Sequence, residues 1–291
     1  MSTAGSDLSK AVLITGCSTG IGRATAERLA RGGHKVYASA RRVESIEDLR
    51  EAGCSTLALD VCDEDSMKAA VEQVVAETGA VGVLVNNAGY SQSGAIETVA
   101  MEAVRRQFET NVFGLIRLCQ LVLPGMREQR WGRIVNVSSM GANFTFPGGG
   151  IYHATKYAVE AVSDALRFEV KGFGVDVTVI QPGLIRTNFG EAAAGAVAAG
   201  TVQSSDGPYA QFNDSVARMT SEAYEKGPLA RLGGDAEDVA RAIEREIERR
   251  SPRIRVRVTP SARLLITQRR LMSAGMWDRF LGTQFAHPGA D

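Results

Sequence analysis

Short apolar runs alternate with longer amphipathic stretches along the first 190 residues of the chain. The runs at 11–15, 34–40, 55–60, 81–86, 133–138 and 175–181 are continuously apolar enough to be strands buried on both faces. Between them, 21–31, 46–52, 64–78, 101–129 and 152–171 carry apolar residues at helical spacing. Strands that alternate with helices predict an α/β fold, a doubly wound parallel sheet with helices on both faces and right-handed crossovers. The strictly alternating run at 253–259 predicts a seventh strand with one face exposed. Between the sixth and seventh strands the pattern fades. Residues 190–201 are almost all Ala and Gly, and 188–228 is expected to be a mobile substrate loop with weak helices. Asp235, three residues before Asp238, is the expected cap of a helix over 235–250, and 262–285 reads as a helical tail. With no repeat and no linker, residues 1–291 are expected to form a single domain.

Composition narrows the function classes. The chain has 33 basic and 33 acidic side chains, so it lacks the charge footprint of a nucleic-acid binder. Hydrophobic residues make up 44% of it and charged residues 23%, which excludes disorder for the bulk. No apolar run approaches the roughly 18 residues that a membrane span needs. The first ten residues are polar and unlike a secretion signal, so a cytoplasmic location is expected. Cys17, Cys54, Cys62 and Cys119 lack CxxC spacing, so neither a metal nor a disulfide framework is expected, only reduced, buried thiols. Residues 241–270 hold ten arginines against three glutamates. That excess reads as a solvated helix face and a charge-protected edge strand.

Two constellations carry chemistry. Thr15-Gly16-Cys17-Ser18-Thr19-Gly20-Ile21-Gly22 lies between the first strand and the first helix. Glycines there let backbone approach a pyrophosphate, and the helix N-terminus offers free N–H groups and a positive dipole end. The second strand ends in Arg41-Arg42, where enzymes specific for NAD carry an acid that grips the ribose hydroxyls. An arginine at that position pairs instead with a 2′-phosphate, which predicts NADP(H) in preference to NAD(H). Tyr152 and Lys156 are four apart and share one helix face. A free phenol ionises near pH 10, and a neighbouring ammonium is expected to lower that value until Tyr152 can exchange protons at neutral pH. Ser139 lies thirteen residues upstream at the end of the fifth strand. Strand alternation distinguishes it from its neighbour Ser138.

The order and spacing of these motifs resemble the short-chain dehydrogenase/reductase family, over about residues 8–188. The resemblance implies that Tyr152 is the general acid/base, that Ser139 orients the reacting oxygen, and that Lys156 tunes Tyr152 and holds the nicotinamide ribose. It adds Asn111 as a fourth catalytic residue, one that holds a proton-relaying water. It assigns Gly16, Ser18, Thr19, Gly20, Ile21 and Gly22 to the pyrophosphate, and Asp60 and Val61 to the adenine. Asn87, Ala88 and Gly89 fall beside the ribose, with the asparagines cross-bracing the sheet. Pro182, Gly183, Ile185 and Thr187 hold the carboxamide.

The tail, with GCSTGIG and KVYASARR, is similar to the 17β-hydroxysteroid and retinol dehydrogenase branch, which implies a bulky apolar alcohol or ketone. Met140, Phe144, Phe146, His153 and Phe189 are the expected pocket residues, although the aromatic ones could equally pack the loop. Relatives form dimers or tetramers through helices that match 101–129 and 152–171, so a homo-oligomer is expected. The alternative is a regulatory protein of the same fold that binds the cofactor without turnover. An epimerase or dehydratase is disfavoured by the glycine spacing.

Overall fold

The computed structural model describes residues 8–187, 207–225, 230–285 and 287–289. Seven parallel strands form the main sheet: β1 (Val12–Ile14), β2 (Val36–Ala40), β3 (Ser55–Ala58), β4 (Val83–Asn86), β5 (Gly132–Val137), β6 (Val175–Gln181) and β9 (Arg255–Arg257). Their order is β3-β2-β1-β4-β5-β6-β9, so the chain reverses its direction of winding between β1 and β4. Ligands bind at that reversal in open α/β sheets, beyond the carboxyl ends of the strands.

Alternation along each strand divides the core in two. Leu13, Leu84 and Ile134 face one layer, formed with α2 (Glu64–Thr78), α4 (Gly114–Glu128) and α5 (Gly150–Val170). Their neighbours Val12, Ile14, Val83, Val85, Val135 and Val137 face the other. That second layer is covered by α1 (Gly20–Arg31) and α7 (Ala236–Glu248). Arg28 of α1 ties the two helices together, with Nε 2.6 Å from Glu244 and a second ion pair to Glu237. Asp235 caps α7 reciprocally with Asp238, an aspartate filling the position where Glu or Gln is usual.

Several expectations change in detail. The stretch expected as one helix over 101–129 is α3 (Met101–Phe108), a π-helical turn (Glu109–Phe113) and α4. The helix expected at 46–52 is a 3₁₀ helix, Val43–Arg50. The short strands β7 (Ile185–Arg186) and β8 (Gly234–Asp235) pair in a second small sheet. Of the expected loop, 188–206 and 226–229 lie outside the described residues. Within it, 210–225 forms the sixteen-residue α6 (Ala210–Glu225). It docks through buried Val216 and through Asn213 Oδ1, which accepts from the Ala95 amide at 3.1 Å.

The tail is two helices, α8 (Pro260–Leu271) and α9 (Ala274–Gly282), broken at Met272-Ser273. Their buried faces meet the loop after β5 in a third cluster of Met140, Phe144, Leu184, Leu265, Ile266 and Trp277. Cys17, Cys54 and Cys119 are buried as expected, but Cys62 is exposed, because it follows β3 on the open edge of the sheet.

Candidate active site

The glycine loop turns tightly over the carboxyl end of β1. Gly16 and Gly20 have φ of +72° and +59°, a region costly for any residue with a Cβ. Gly22 has no room for one either, since it would collide with the Gly16 carbonyl oxygen and the Asn87 amide. The Thr15 hydroxyl accepts from the amides of Asn87 and Ala88 at 3.0 and 2.9 Å, and Asn87 Nδ2 donates to the carbonyl of Thr15 at 2.9 Å. The loop after β4 is thus sewn to the loop after β1. Asn86 donates to Asn136 at 2.9 Å and Asn136 to Ser163 at 2.9 Å, the bracing that the motif implied. Thr15 was quoted only as part of the motif. A hydroxyl one residue past a strand gave no local sign of the two amides it satisfies.

This wall suits an anion. Thr19 opens α1 without a side-chain cap, and the first turn of α1 holds no acid, so its amides stay open to a ligand. Ser18 and Thr19 are exposed there, beside Ile21. Thr187 closes in from β7, with its methyl 3.5 Å from where a Cβ on Gly20 would stand. Arg41 and Arg42 are exposed at the end of β2, and among the described residues no carboxylate pairs with either. Asp60 accepts from the Cys62 amide at 2.9 Å, and Val61 is buried against the start of α4. Pro182 and Gly183 follow β6, where the Pro182 carbonyl accepts from the Met140 amide at 2.8 Å. The residues present fit the phosphates of a dinucleotide.

The second wall gathers Ser139, Tyr152, Lys156 and Asn111. Ser139 follows β5 and Tyr152 lies in the first turn of α5, where the serine side chain acts to lower the pKa of the phenol. Lys156 Nζ lies 5.9 Å from the Tyr152 ring centre and donates to the Val137 carbonyl at 2.9 Å. Asn111 sits in the π-helical turn, whose extra residue turns its side chain inward. Its Nδ2 donates to the Tyr90 carbonyl and the Thr155 hydroxyl, both at 3.0 Å, and its Oδ1 accepts from the Tyr90 amide at 3.1 Å. Asn111 therefore pins the segment after Gly89 to α5, a backbone role alongside any part in proton transfer. Ser138 is buried with its amide on β6, as alternation required.

One electrostatic expectation is overturned. Desolvation pushes the Tyr152 phenol up to about 12, although its ring is partly exposed. Among the described residues, the Ser139 side chain acts in the opposite direction. Lys156 donates to the Val137 carbonyl, and burial holds its own pKa down to about 8.

The expected pocket walls also change. Phe144 is 1% exposed and Met140 7%, both inside the cluster with the tail. Phe144 stacks on Phe146 at 5.0 Å and on Trp277 at 5.6 Å between centroids. Once the tail covers the loop, burial against Trp277 outweighs exposure to a cavity. His153 is buried and faces backbone rather than a cavity. Phe189 lies outside the described residues. Ile96, missed in the sequence, is 71% exposed and adjoins Gly150 at the head of α5.

Residues 10–196 match the short chain dehydrogenase family. The chain belongs to that family. It is 36% identical over 258 residues to a 3-ketodihydrosphingosine reductase of Bacteroides thetaiotaomicron, covering 88% of this chain and 90% of that one. It is similar to the crystal structure of a short-chain dehydrogenase from Streptomyces avermitilis, with a TM-score of 0.76, 33% identity, and coverage of 94% and 96% of the two chains. A serine dehydrogenase complexed with NADP+ matches with a TM-score of 0.73 and 28% identity, over 86% of this chain and 94% of that one. This family member is an oxidoreductase of alcohol and carbonyl groups.

Proposed function

We propose that the chain is an NADP(H)-dependent oxidoreductase that interconverts a ketone or aldehyde and an alcohol on a bulky apolar substrate, steroid-, retinoid- or polyketide-like, with Tyr152 as general acid/base. The observation that carries this reading is that Ser139 acts on the Tyr152 phenol with the Lys156 ammonium 5.9 Å from the ring, in a fold whose α1 N-terminus carries no side-chain cap among the described residues. A nicotinamide cofactor, when bound, supplies or accepts the hydride.

The residues around it have separate tasks. The glycine loop and the first turn of α1 hold the pyrophosphate, Arg41 the 2′-phosphate, and Asp60 with Val61 the adenine. Asn87, Ala88, Gly89 and Lys156 flank the riboses, while Pro182, Gly183, Ile185 and Thr187 fix the carboxamide end. In reduction, Ser139 donates a hydrogen bond to the carbonyl oxygen and Tyr152 gives that oxygen its proton. A phenol raised to about 12 is fully protonated at neutral pH and still more acidic than the alcohol being formed, so it is poised to donate. In oxidation Tyr152 takes the proton back, which requires more basic conditions or a bound positive charge.

The serine dehydrogenase relative that carries NADP+ supports the cofactor choice, as does Arg41, which pairs with no carboxylate among the described residues. The 3-ketodihydrosphingosine reductase relative and exposed Ile96 support an apolar ketone. Exposed Phe113, Tyr157 and Phe168, on or beside α4 and α5, support a homodimer or homotetramer, which light scattering tests. A monomeric mass would reject it.

The enzymatic test measures loss of reduced-nicotinamide absorbance with 3-ketodihydrosphingosine, steroid ketones and retinal, and its gain from NADP+ with an L-serine control. NADPH is expected to bind at least about ten-fold more tightly than NADH, the worth of one charge-assisted pair. Tyr152→Phe should lower kcat by about a thousand-fold while leaving NADPH binding intact. Activity that survives Tyr152→Phe defeats the mechanism, and a preference for NADH defeats the cofactor choice. Cofactor binding without turnover of any ketone would return the regulatory reading.

A further inference from the structure

We propose that His153 is a positioning residue, whose neutral ring fixes the peptide groups around Gly141 and through them the Ser139 hydroxyl. The inference rests on the role proposed for Tyr152.

The ring lies between two glycines. A Cβ on Gly141 would strike its Nδ1, and one on Gly149 would stand 2.8 Å from Nε2. Both ring nitrogens are engaged with backbone. Nδ1 lies 2.6 Å from the Gly141 carbonyl oxygen, and Nε2 accepts from the Phe146 amide at 3.3 Å. Only one tautomer satisfies both contacts. Nε2 must be bare to accept, so Nδ1 carries the proton and donates to the carbonyl. Burial favours the neutral ring by lowering its pKa. A doubly protonated ring would point a second N–H at the Phe146 amide.

Gly141 transmits this constraint. Its carbonyl accepts from His153, while its amide donates to Ser139 Oγ at 3.0 Å. The amide fills one acceptor position on Ser139, which directs the Ser139 proton toward the Tyr152 oxygen or the substrate oxygen. The loop between β5 and α5 is thus closed by one imidazole, which adjoins the two hydroxyls but exchanges no proton with them. His153 follows Tyr152 directly, so the same turn of α5 presents the acid/base and the clamp.

The test uses the full chain with His153→Leu and His153→Asn. Asparagine keeps a donor at the Nδ1 position and leucine keeps none. In the wild type, imidazole ¹⁵N shifts at neutral pH should report a protonated Nδ1 and a bare Nε2. The opposite tautomer overturns the proposal and needs no variant. With ¹³C-labelled tyrosine, the Tyr152 resonance, assigned by Tyr152→Phe, should move in His153→Leu and return toward wild type in His153→Asn. With the ketone that the wild type reduces, kcat should fall about ten- to a hundred-fold in His153→Leu, with NADPH affinity unchanged, and recover in His153→Asn. An unmoved resonance in His153→Leu, or a His153→Asn no better than His153→Leu, overturns it. Should the wild type reduce none of the ketones, the function reading fails, while the tautomer and the tyrosine resonance still decide the clamp.

Discussion

The two walls of the site are held in different ways. Around Gly16–Gly22 and Asn86–Gly89, backbone touches backbone, and the shape depends on side chains that are absent. Around Ser139–His153, side chains hold backbone, and the shape depends on aromatic and imidazole groups brought from three parts of the chain. The first wall is built within two strand ends that pair directly in the sheet. The second needs α5 and also the tail, because Trp277 covers Phe144 and Phe146 from more than 130 positions away. A wall of the first kind fails by collision and a wall of the second kind by loosening, so the two should respond to substitution differently.

The sharpest way to break the contrast is Trp277→Ala. The ring is 4% exposed, and removing so large a core group is expected to cost about 3–5 kcal/mol. Chemical denaturation measures the loss. Under conditions where the variant stays folded, kcat should fall while NADPH affinity, read by fluorescence titration, holds. An unchanged kcat would mean that the tail is packing alone and gives the catalytic loop no support.

Gly22→Ala comes next and should act in the opposite sense. Its methyl meets the Gly16 carbonyl and the Asn87 side chain, and backbone cannot yield as a flexible side chain can. Such overpacking costs about 1–3 kcal/mol. The loss should appear first in NADPH affinity, with the Tyr152 resonance undisturbed. If affinity holds, the glycine wall is more pliable than its contacts suggest.

The third test is a pH dependence confined to the second wall. In the cofactor-free chain, desolvation lowers Lys156 from 10.5 to about 8. Between those values the unfolded chain binds the proton more tightly than the folded one. Stability attributable to Lys156 therefore rises as pH climbs from about 8 to 10.5, and below about 8 the buried ammonium carries a constant cost. Thermal melts of wild type and Lys156→Met, compared across that window, should show the wild type gaining relative to the variant. A flat difference would mean that the Val137 carbonyl satisfies the ammonium fully.

Much of this was legible in the chain, for identifiable reasons. The strands were readable because continuous apolar runs such as Val12–Ile14 and residues 83–85 have no alternative to burial on both faces. Ser139, Tyr152 and Lys156 were readable as a set because their order and spacing resemble those of the short-chain dehydrogenase/reductase family, helix period adding only that Tyr152 and Lys156 share a face. For Phe144 and Met140 the two readings, pocket wall or loop packing, stayed open because an apolar residue in a loop looks the same whether a cavity or a distant helix covers it, and the structure packs both against the tail. The rise of the Tyr152 pKa was not legible because four-residue spacing brings Lys156 near but says nothing of how far the fold desolvates the phenol. The π-helical turn at Asn111 was invisible, since one extra residue in a helix leaves the apolar pattern almost unchanged.

Sequence alone determined the layered sheet, the glycine turn over β1 and the residues gathered at its carboxyl edge, because these follow from short-range periodicity and from backbone that tolerates no Cβ. Tertiary structure alone decided the protonation state of Tyr152, the partners of His153 and the covering of the loop after β5. Each of those depends on desolvation and on hydrogen bonds or packing across the fold, quantities that exist only once distant segments have met.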